Sequence, residues 1–216
     1  MPGTPPPGQL VRRLEQSRRI HIVGGPGTGK STLALQLGDT LGLPVHPLDA
    51  VAYEGIEYAL QPASYCRAQA SDIAATDRWV TEGIFAGWTE PLLERADTIL
   101  WLDHAGWRRA ATRIVLRAAR SAGREVAVRR GRERFLRFAD YRRNARQLFL
   151  ALRDSRDFWG SPAIRKRRYP VTRTEVAESL APYAAKVVRL SRNEHVVEVS
   201  AELEVIKKDL SAQSLR

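Results

Sequence analysis

The sequence RIHIVGGPGTGKS, residues 19–31, joins a short apolar run to a glycine-rich segment. Within it, Gly24, Gly29, Lys30 and Ser31 fill the spacing G-x-x-x-x-G-K-[ST] in order. The apolar run predicts a buried strand, and the amphipathic stretch after the segment predicts a helix. Because a strand, a glycine-rich turn and a helix are the context of a Walker A phosphate-binding loop, we predict such a loop rather than a flexible linker.

Each residue type in this loop has a mechanical role in binding phosphate. A triphosphate is held by a concave ring of backbone N–H donors at the positive end of a helix dipole, and glycines allow the close approaches that this ring requires. Lys30 is a point charge on a long stem that can follow the β- and γ-phosphates, while the Ser31 hydroxyl can bind Mg²⁺. The predicted ligands are ATP and Mg²⁺. The predicted nucleotide contacts are Gly25, Pro26, Gly27, Thr28, Gly29, Lys30, Ser31 and Thr32.

Short apolar runs alternate with amphipathic segments along the rest of the chain. The predicted strands are residues 19–23, 44–48, 78–81, 98–102 and 187–190. The predicted helices are residues 9–17, 29–41, 64–76, 88–96, 107–122, 133–157, 174–185 and 201–212, with residues 195–199 either strand or helix. This alternation implies right-handed crossovers and a parallel sheet with helices on both faces, which is the α/β class.

The domain organisation follows from the same pattern. Residues 18–216 are predicted to form one P-loop NTPase domain, preceded in residues 1–17 by a Pro/Gly-rich lead and a short helix. Residues 1–8 have nothing to bury and are predicted to be disordered. Residues 123–131 are predicted to interrupt the long basic helix, and the region of about 120–170 is predicted to be a helical lid rich in arginine.

Acidic residues stand where the predicted strands end, and ligands of parallel sheets bind at those ends. Asp103 follows an apolar strand as a conventional Walker B acid does, and Glu82 with Gly83 forms a competing acid-glycine pair. Either acid can complete the Mg²⁺ site that a P-loop enzyme needs. Asp49 follows the second strand and has two interpretations: a capping residue, or an acceptor-site residue that holds a substrate hydroxyl or acts as its base.

The positive charge is concentrated in residues 104–173. This segment has 20 arginines and Lys166 against five acids, a net charge of +16, whereas the whole chain carries +11. Guanidinium groups grip phosphate in a planar fork. Two uses follow: a lid over the triphosphate of a phosphotransferase, or a surface for the phosphate backbone of nucleic acid. In the lid interpretation, Arg113, Arg117 and one of Arg142 or Arg143 contact the nucleotide phosphates.

Several function classes find no support in the sequence. No apolar run approaches the roughly 18 to 20 residues of a membrane-spanning helix, and the first residues lack the apolar core of a signal peptide. The single cysteine, Cys66, excludes an intrachain disulfide and suits a reducing compartment. There is no N-K-x-D motif of a GTPase and no zinc-ligand spacing. We expect a soluble, cytoplasmic monomer in which Cys66 and His21 are core residues.

Three segments resemble the bacterial DNA topology modulation proteins, within the adenylate-kinase-like group of P-loop kinases. LGLPVHPLD at residues 41–49, DRWVTEG at 77–83 and ERADTILWLD at 94–103 are similar to that group's L-G-L-P-V-x-x-L-D, D-R-W-I-x-D-G and E-R-A-D-x-x-x-x-L-D. RIVLR at residues 113–117 resembles the adenylate kinase segment whose two arginines stack on adenine and contact phosphate. The resemblance covers about residues 19–150.

This resemblance implies a sheet in the order 2-3-1-4-5 with an arginine-bearing lid, and an enzyme that transfers the γ-phosphoryl group of ATP to a nucleotide or another small acceptor. It implies that Glu82, rather than Asp103, lies beside the Walker strand and contacts the Mg²⁺ shell. The acceptor site is then built from the variable residues 51–67, with Asp49 and Arg67 as substrate contacts. This chain departs from the group in having Glu82 for Asp, and Ile84-Phe85-Ala86 in place of a Pro-Arg pair. The alternative function is ATP-dependent binding of nucleic acid.

Overall fold

The computed structural model describes residues 5–54, 59–104, 106–129, 138–159 and 171–213, without the side chains of 121–129, 138–144, 146–147, 154 and 209–213. The strands are β1 Arg19–Gly24, β2 Val45–Pro47, β3 Tyr53–Glu54, β4 Ala59–Leu60, β5 Trp79–Gly83, β6 Thr98–Leu102 and β7 Val187–Leu190. The helices are α1 Pro7–Gln16, α2 Lys30–Leu41, α3 Asp49–Ala52, α4 Ala63–Ala75, α5 Glu90–Arg95, α6 Trp107–Arg129, α7 Phe138–Trp159, α8 Arg173–Leu180 and α9 Asn193–Gln213.

Five parallel strands form the central sheet in the order β2-β5-β1-β6-β7. The five predicted strands therefore lie in the predicted relative order. The numbering differs because β3 and β4, two short strands that were not predicted, pair antiparallel in a separate sheet. The predicted α/β class is confirmed.

The sheet is apolar on both faces, as parallel sheets covered by helices are. Every residue of β5 and β6 is buried. One core cluster packs Ile20, Ile22 and Leu100 against α1, α2 and α9. The other packs Trp79 and Ile99 against α4, α5 and α8, together with the end of α7. The central strand β1 lies between β5 and β6, so the loop that follows it opens at the middle of the sheet edge.

Helices α6 and α9 differ from their predicted boundaries, and α8 ends at Leu180 rather than at residue 185. Helix α6 continues through Gly123 to Arg129, although residues 123–131 were expected to break it. A glycine costs only about 1 kcal/mol in a helix relative to alanine, and the alanines, arginines and glutamate around it favour helix. Helix α9 begins at Asn193, so residues 195–199 are helical and not a strand. Residues 130–137 lie outside the described part of the chain.

The N-terminal helix is longer than predicted. It begins at Pro7, so Pro7 and Gly8 are helical, because a proline at the first position of a helix loses no hydrogen bond. Leu10, Val11 and Leu14 face the core. Among the described helices, none combines the length and apolarity that crossing a membrane requires.

Candidate functional site

The loop between β1 and α2 has the geometry of a phosphate cradle. Gly27 has φ +74° and Gly29 has φ +94°, a left-handed region that favours glycine. The Thr28 hydroxyl donates to the Gly25 carbonyl at 2.8 Å, and the Lys30 ammonium donates to the same carbonyl at 3.1 Å. The N-terminal N–H groups of α2 therefore face the loop with a positive helix end behind them.

Helices α6 and α7 pack directly on this loop. A Cβ added to Gly25 would overlap the ring of Phe158, near the end of α7. A Cβ on Gly27 would lie 2.9 Å from the carbonyl oxygen of Ala110 in α6. Both positions therefore favour glycine because of the packing of α6 and α7 as well as because of phosphate binding.

Glu82 and Asp103, the two acids predicted as alternatives for binding Mg²⁺, have different surroundings. Glu82, at the end of β5 next to β1, is buried, and its Oε1 accepts a hydrogen bond from the Ser31 hydroxyl at 2.9 Å. The Asp103 carboxylate instead accepts from Arg173 Nε at 2.6 Å and from Arg189 Nε at 2.8 Å. The carboxylate of Asp103 is thus bonded to two guanidinium groups, whereas the carboxylate of Glu82 is bonded to the Ser31 hydroxyl.

A cavity of about 380 Å³ opens above the loop. One wall is formed by loop residues and the first turn of α2, a second by Asp49 and residues 82–84, and a third by Arg113, Ile114 and Arg117 of α6 with Ala151 of α7. Six of the eight predicted nucleotide contacts line it; Gly25 and Thr28 lie behind as the hydrogen-bonded pair that closes the loop.

Charges of both signs meet in this cavity and shift one another's pKa values. Burial lowers the pKa of the Lys30 ammonium, the carboxylates of Glu82 and Asp49 act against this, and Arg117 adds to it. Desolvation raises the pKa of the Asp49 carboxyl, partly offset by Lys30 and Arg117. Within the described residues the Asp49 carboxylate has no hydrogen-bond or ion-pair partner, so it is available to a ligand. It also begins α3 rather than merely ending a strand.

The predicted arginines fall into three groups. Arg113 and Arg117 line the cavity, and Arg113 Nη1 donates to the Gly27 carbonyl at 3.1 Å. Arg142 and Arg143 belong to α7, but their side chains lie outside the described set. Arg67 does not line the cavity, because its Nη2 is bonded to Glu90 Oε2 at 2.9 Å.

Sequence reasoning missed several residues around Arg113. Its Nη2 donates to Asn193 Oδ1 at 2.6 Å, and Nη1 lies 3.4 Å from His104 Nε2. His104 is buried, and burial together with Arg113 lowers its pKa, so it is neutral near pH 7. Contacts between residues 80 positions apart leave no local pattern in the chain.

Two expected core residues are in the core. His21 Nδ1 is paired with Thr81 Oγ1 at 2.8 Å, and burial lowers the pKa of His21 to about 4. Cys66 is buried, and burial raises the pKa of its thiol, which makes it unreactive. Within the described chain, no group of three histidines, cysteines or acids is placed to hold a metal ion.

Comparison with known proteins adds little to this geometry. No protein-family model matches the chain, and no curated protein matches it. Among solved structures, a gluconokinase from Sinorhizobium meliloti 1021 is similar, with 15% sequence identity over 91% of this chain and 97% of that chain and a TM-score of 0.41. The similarity does not address the finer resemblance to DNA topology modulation proteins. The strand order β2-β5-β1-β6-β7 and the loop at the end of β1 agree with the sheet order and the phosphate-binding loop predicted from the sequence.

Proposed function

We propose that this protein is a phosphotransferase that moves the γ-phosphoryl group of ATP to a hydroxyl group of a small acceptor. The observation that carries the proposal is the cavity above the loop. It brings together Lys30, Glu82 and the arginines of α6 with the carboxylate of Asp49. Phosphoryl transfer requires mainly positioning and charge neutralisation, and this set of groups supplies both.

The nucleotide would bind with its phosphates in the loop. Backbone N–H groups of residues 27–31 would donate to the phosphate oxygens, because they lie at the N-terminus of α2. The Lys30 ammonium would exchange its bond to the Gly25 carbonyl for a β- or γ-phosphate oxygen. Arg113 and Arg117 would approach the triphosphate from the opposite wall.

The chemistry of Ser31 and Glu82 suits Mg²⁺. A hydroxyl and a carboxylate 2.9 Å apart are hard oxygen donors, and Mg²⁺ is usually held by one or two protein oxygens together with phosphate oxygens and water. When bound, the ion would neutralise charge on the phosphates. Ser31 and Glu82 would hold it in place.

Asp49 would act on the acceptor. The acceptor oxygen attacks the γ-phosphorus, the bond from that phosphorus to the bridging oxygen of ADP breaks, and ADP leaves with the electron pair. The hydroxyl proton passes to the Asp49 carboxylate. The raised pKa of Asp49 makes its ionised carboxylate a better base than that of an ordinary aspartate.

A variant of Lys30 tests the proposal. Lys30→Ala should lower ATP turnover at least about 100-fold while leaving the thermal midpoint close to that of the wild type, because it removes a phosphate-binding charge but no core volume. Lys207→Ala is the matched control, since Lys207 is on α9 and paired with Asp39 at 2.5 Å. Equal turnover in the two variants would refute the proposal.

A second candidate function is supported by the outer face of α6. Arg108, Arg109 and Arg120 are exposed and do not line the cavity. Such a face would bind the backbone of nucleic acid with a strong dependence on salt. Duplex DNA affinity at two salt concentrations, with and without ATP, distinguishes this function from a lid that serves only the triphosphate.

A further inference from the structure

Arg113 is held by hydrogen-bond acceptors from three different parts of the fold. Its Nη1 donates to the Gly27 carbonyl of the loop at 3.1 Å and lies 3.4 Å from Nε2 of His104, just after β6. Its Nη2 donates to Oδ1 of Asn193, the first residue of α9, at 2.6 Å. The loop, the end of β6 and the start of α9 therefore fix the position of one guanidinium group that lines the cavity.

The chemistry of these contacts requires acceptors on the partners of Arg113, because a guanidinium group can only donate. Asn193 presents its amide oxygen at a short distance, as bonds from charged donors usually have. The His104 ring can accept at Nε2 because it is neutral, which places its proton on Nδ1. These bonds use three of the five N–H groups of Arg113 and leave Nε–H and one N–H of Nη2 for a ligand in the cavity.

Arg117, one turn further along α6, is oriented differently. It also lines the cavity, and it interacts electrostatically with Lys30 and Asp49 inside it. Among the described residues, no side chain outside the cavity is hydrogen-bonded to Arg117. Asn193 and His104, in contrast, bond to Arg113 without lining the cavity themselves. The orientation of Arg113 alone of these two arginines therefore depends on side chains outside the cavity.

The benefit of holding Arg113 is entropic. The residue is exposed, so without its acceptors the long side chain would sample many rotamers. Ordering such a side chain on binding costs free energy, whereas a donor that is already oriented needs little reorganisation when a charged ligand arrives. Loss of the Asn193 oxygen should therefore weaken the contact between Arg113 and a phosphate even though Asn193 does not touch the phosphate.

We propose that Asn193 and His104 are positioning residues that orient the guanidinium group of Arg113 toward the triphosphate. They act on the bound nucleotide only through Arg113. This inference rests on the proposed function and assigns a role in the same site to two residues that lie outside the cavity. It also connects the start of α9 and the end of β6 to the phosphate-binding loop through one side chain.

A double-mutant cycle tests whether Asn193 acts through Arg113. Binding of ATP with Mg²⁺ is measured by calorimetry on the full chain. Asn193→Ala should weaken binding about fivefold or more in the wild-type background, because it removes a hydrogen bond to a charged group. The same change should weaken binding by less than about twofold when Arg113→Ala is already present, and by the full factor when Arg117→Ala is present. An equal loss in the Arg113→Ala background would refute the positioning role.

Conservative variants distinguish positioning from support of the fold. Asn193→Asp retains an oxygen at Oδ1, so its ATP affinity should stay within about threefold of the wild type. His104→Gln retains a neutral acceptor and His104→Leu does not, so only the second should weaken ATP binding. Glu198→Ala, at an exposed position of α9, is the control and should bind ATP as the wild type does. Equal losses in Asn193→Asp and Asn193→Ala would contradict the inference.

Inorganic tripolyphosphate with Mg²⁺ serves as a probe that lacks the base and the ribose. Asn193→Ala should weaken its binding by about the same factor as that of ATP, whereas a loss for ATP alone would show that Arg113 is not directed at the phosphates and would overturn the inference. If Lys30→Ala abolishes ATP binding but Asn193→Ala does not weaken it, the inference is wrong and the phosphotransferase assignment stands. If ATP binding does not depend on Lys30, the proposed function fails and the inference fails with it.

Discussion

Replacing Glu82 with glutamine should separate charge from shape at the site. Glutamine retains the volume of the buried side chain and an oxygen that can accept the 2.9 Å hydrogen bond from Ser31, but it removes the negative charge. Loss of one electrostatic group of this kind typically costs about 100- to 1,000-fold in kcat, and loss of a metal contact about 10- to 100-fold in metal affinity. We therefore expect kcat to fall by at least about 100-fold and the Mg²⁺ concentration for half-maximal rate to rise at least about tenfold.

The comparison variant is Asp103→Asn, which should affect stability more than activity. The Asp103 side chain is 1% exposed, whereas its partners Arg173 and Arg189 are 47% and 35% exposed. Because both guanidinium groups can regain water, the loss is smaller than for a fully buried pair, about 1 to 3 kcal/mol. For a chain of this length, that corresponds to a fall of roughly 3 to 10 °C in thermal midpoint.

Kinetics with varied Mg²⁺ and thermal unfolding should be measured for both variants. Abolished Mg²⁺-dependent turnover in Asp103→Asn, with near-normal turnover in Glu82→Gln, would refute the assignment of Glu82.

Three further predictions concern the core, the lid and the loop. Because the pKa of His21 falls from 6.5 to about 4 on folding, the folded state binds fewer protons between these values, and stability should be lost as pH falls through this window. Chemical denaturation at pH 7 and pH 4.5 should show wild type losing about 2 to 3 kcal/mol more than His21→Gln, and equal losses would contradict this. Arg117→Ala should lower kcat/KM by at least about 30-fold in steady-state assays, while Arg120→Ala, outside the cavity, should change it by less than about twofold; similar small losses in both, with weaker DNA binding, would favour the nucleic-acid function. Gly25→Ala should weaken ATP binding in calorimetry and destabilise the fold by about 1 to 3 kcal/mol, because the added methyl group overlaps Phe158; unchanged ATP affinity would show that the loop relaxes freely.

The predictable parts of the fold are those whose signal lies within one short segment of the sequence. The Walker spacing fixes the strand, the loop and the start of α2. The apolar runs at residues 98–102 and 187–190 are short enough and buried enough to be strands. Gly42, directly after α2, has a φ of +62°, the left-handed conformation in which glycine commonly ends a helix. In each case one short segment contains the whole signal.

The parts that were not predictable depend on contacts between distant segments. Nothing near Asp103 indicates that Arg173 and Arg189, which are 70 and 86 positions away, would occupy its carboxylate. Arg67 had no local sign that it would pair with Glu90 instead of facing the acceptor. Helix α6 passes through Gly123 because the helix-forming residues around it outweigh one weak position. The pairing of these side chains and the length of α6 were determined by tertiary packing and by the summed helix propensity of several residues, not by any single residue.

The central claim is that the γ-phosphoryl group of ATP is transferred at this site, and its fate can be followed directly. The protein is incubated with Mg²⁺, ATP labelled with ³²P in the γ-phosphoryl group and pools of nucleoside monophosphates and small hydroxylated compounds as acceptors, and the products are separated by chromatography. We predict that the label moves to an acceptor in the wild-type protein and that this transfer is lost in Lys30→Ala but retained in Lys207→Ala. Label that stays in ATP with the wild-type protein, or that moves equally well with Lys30→Ala, would contradict the claim.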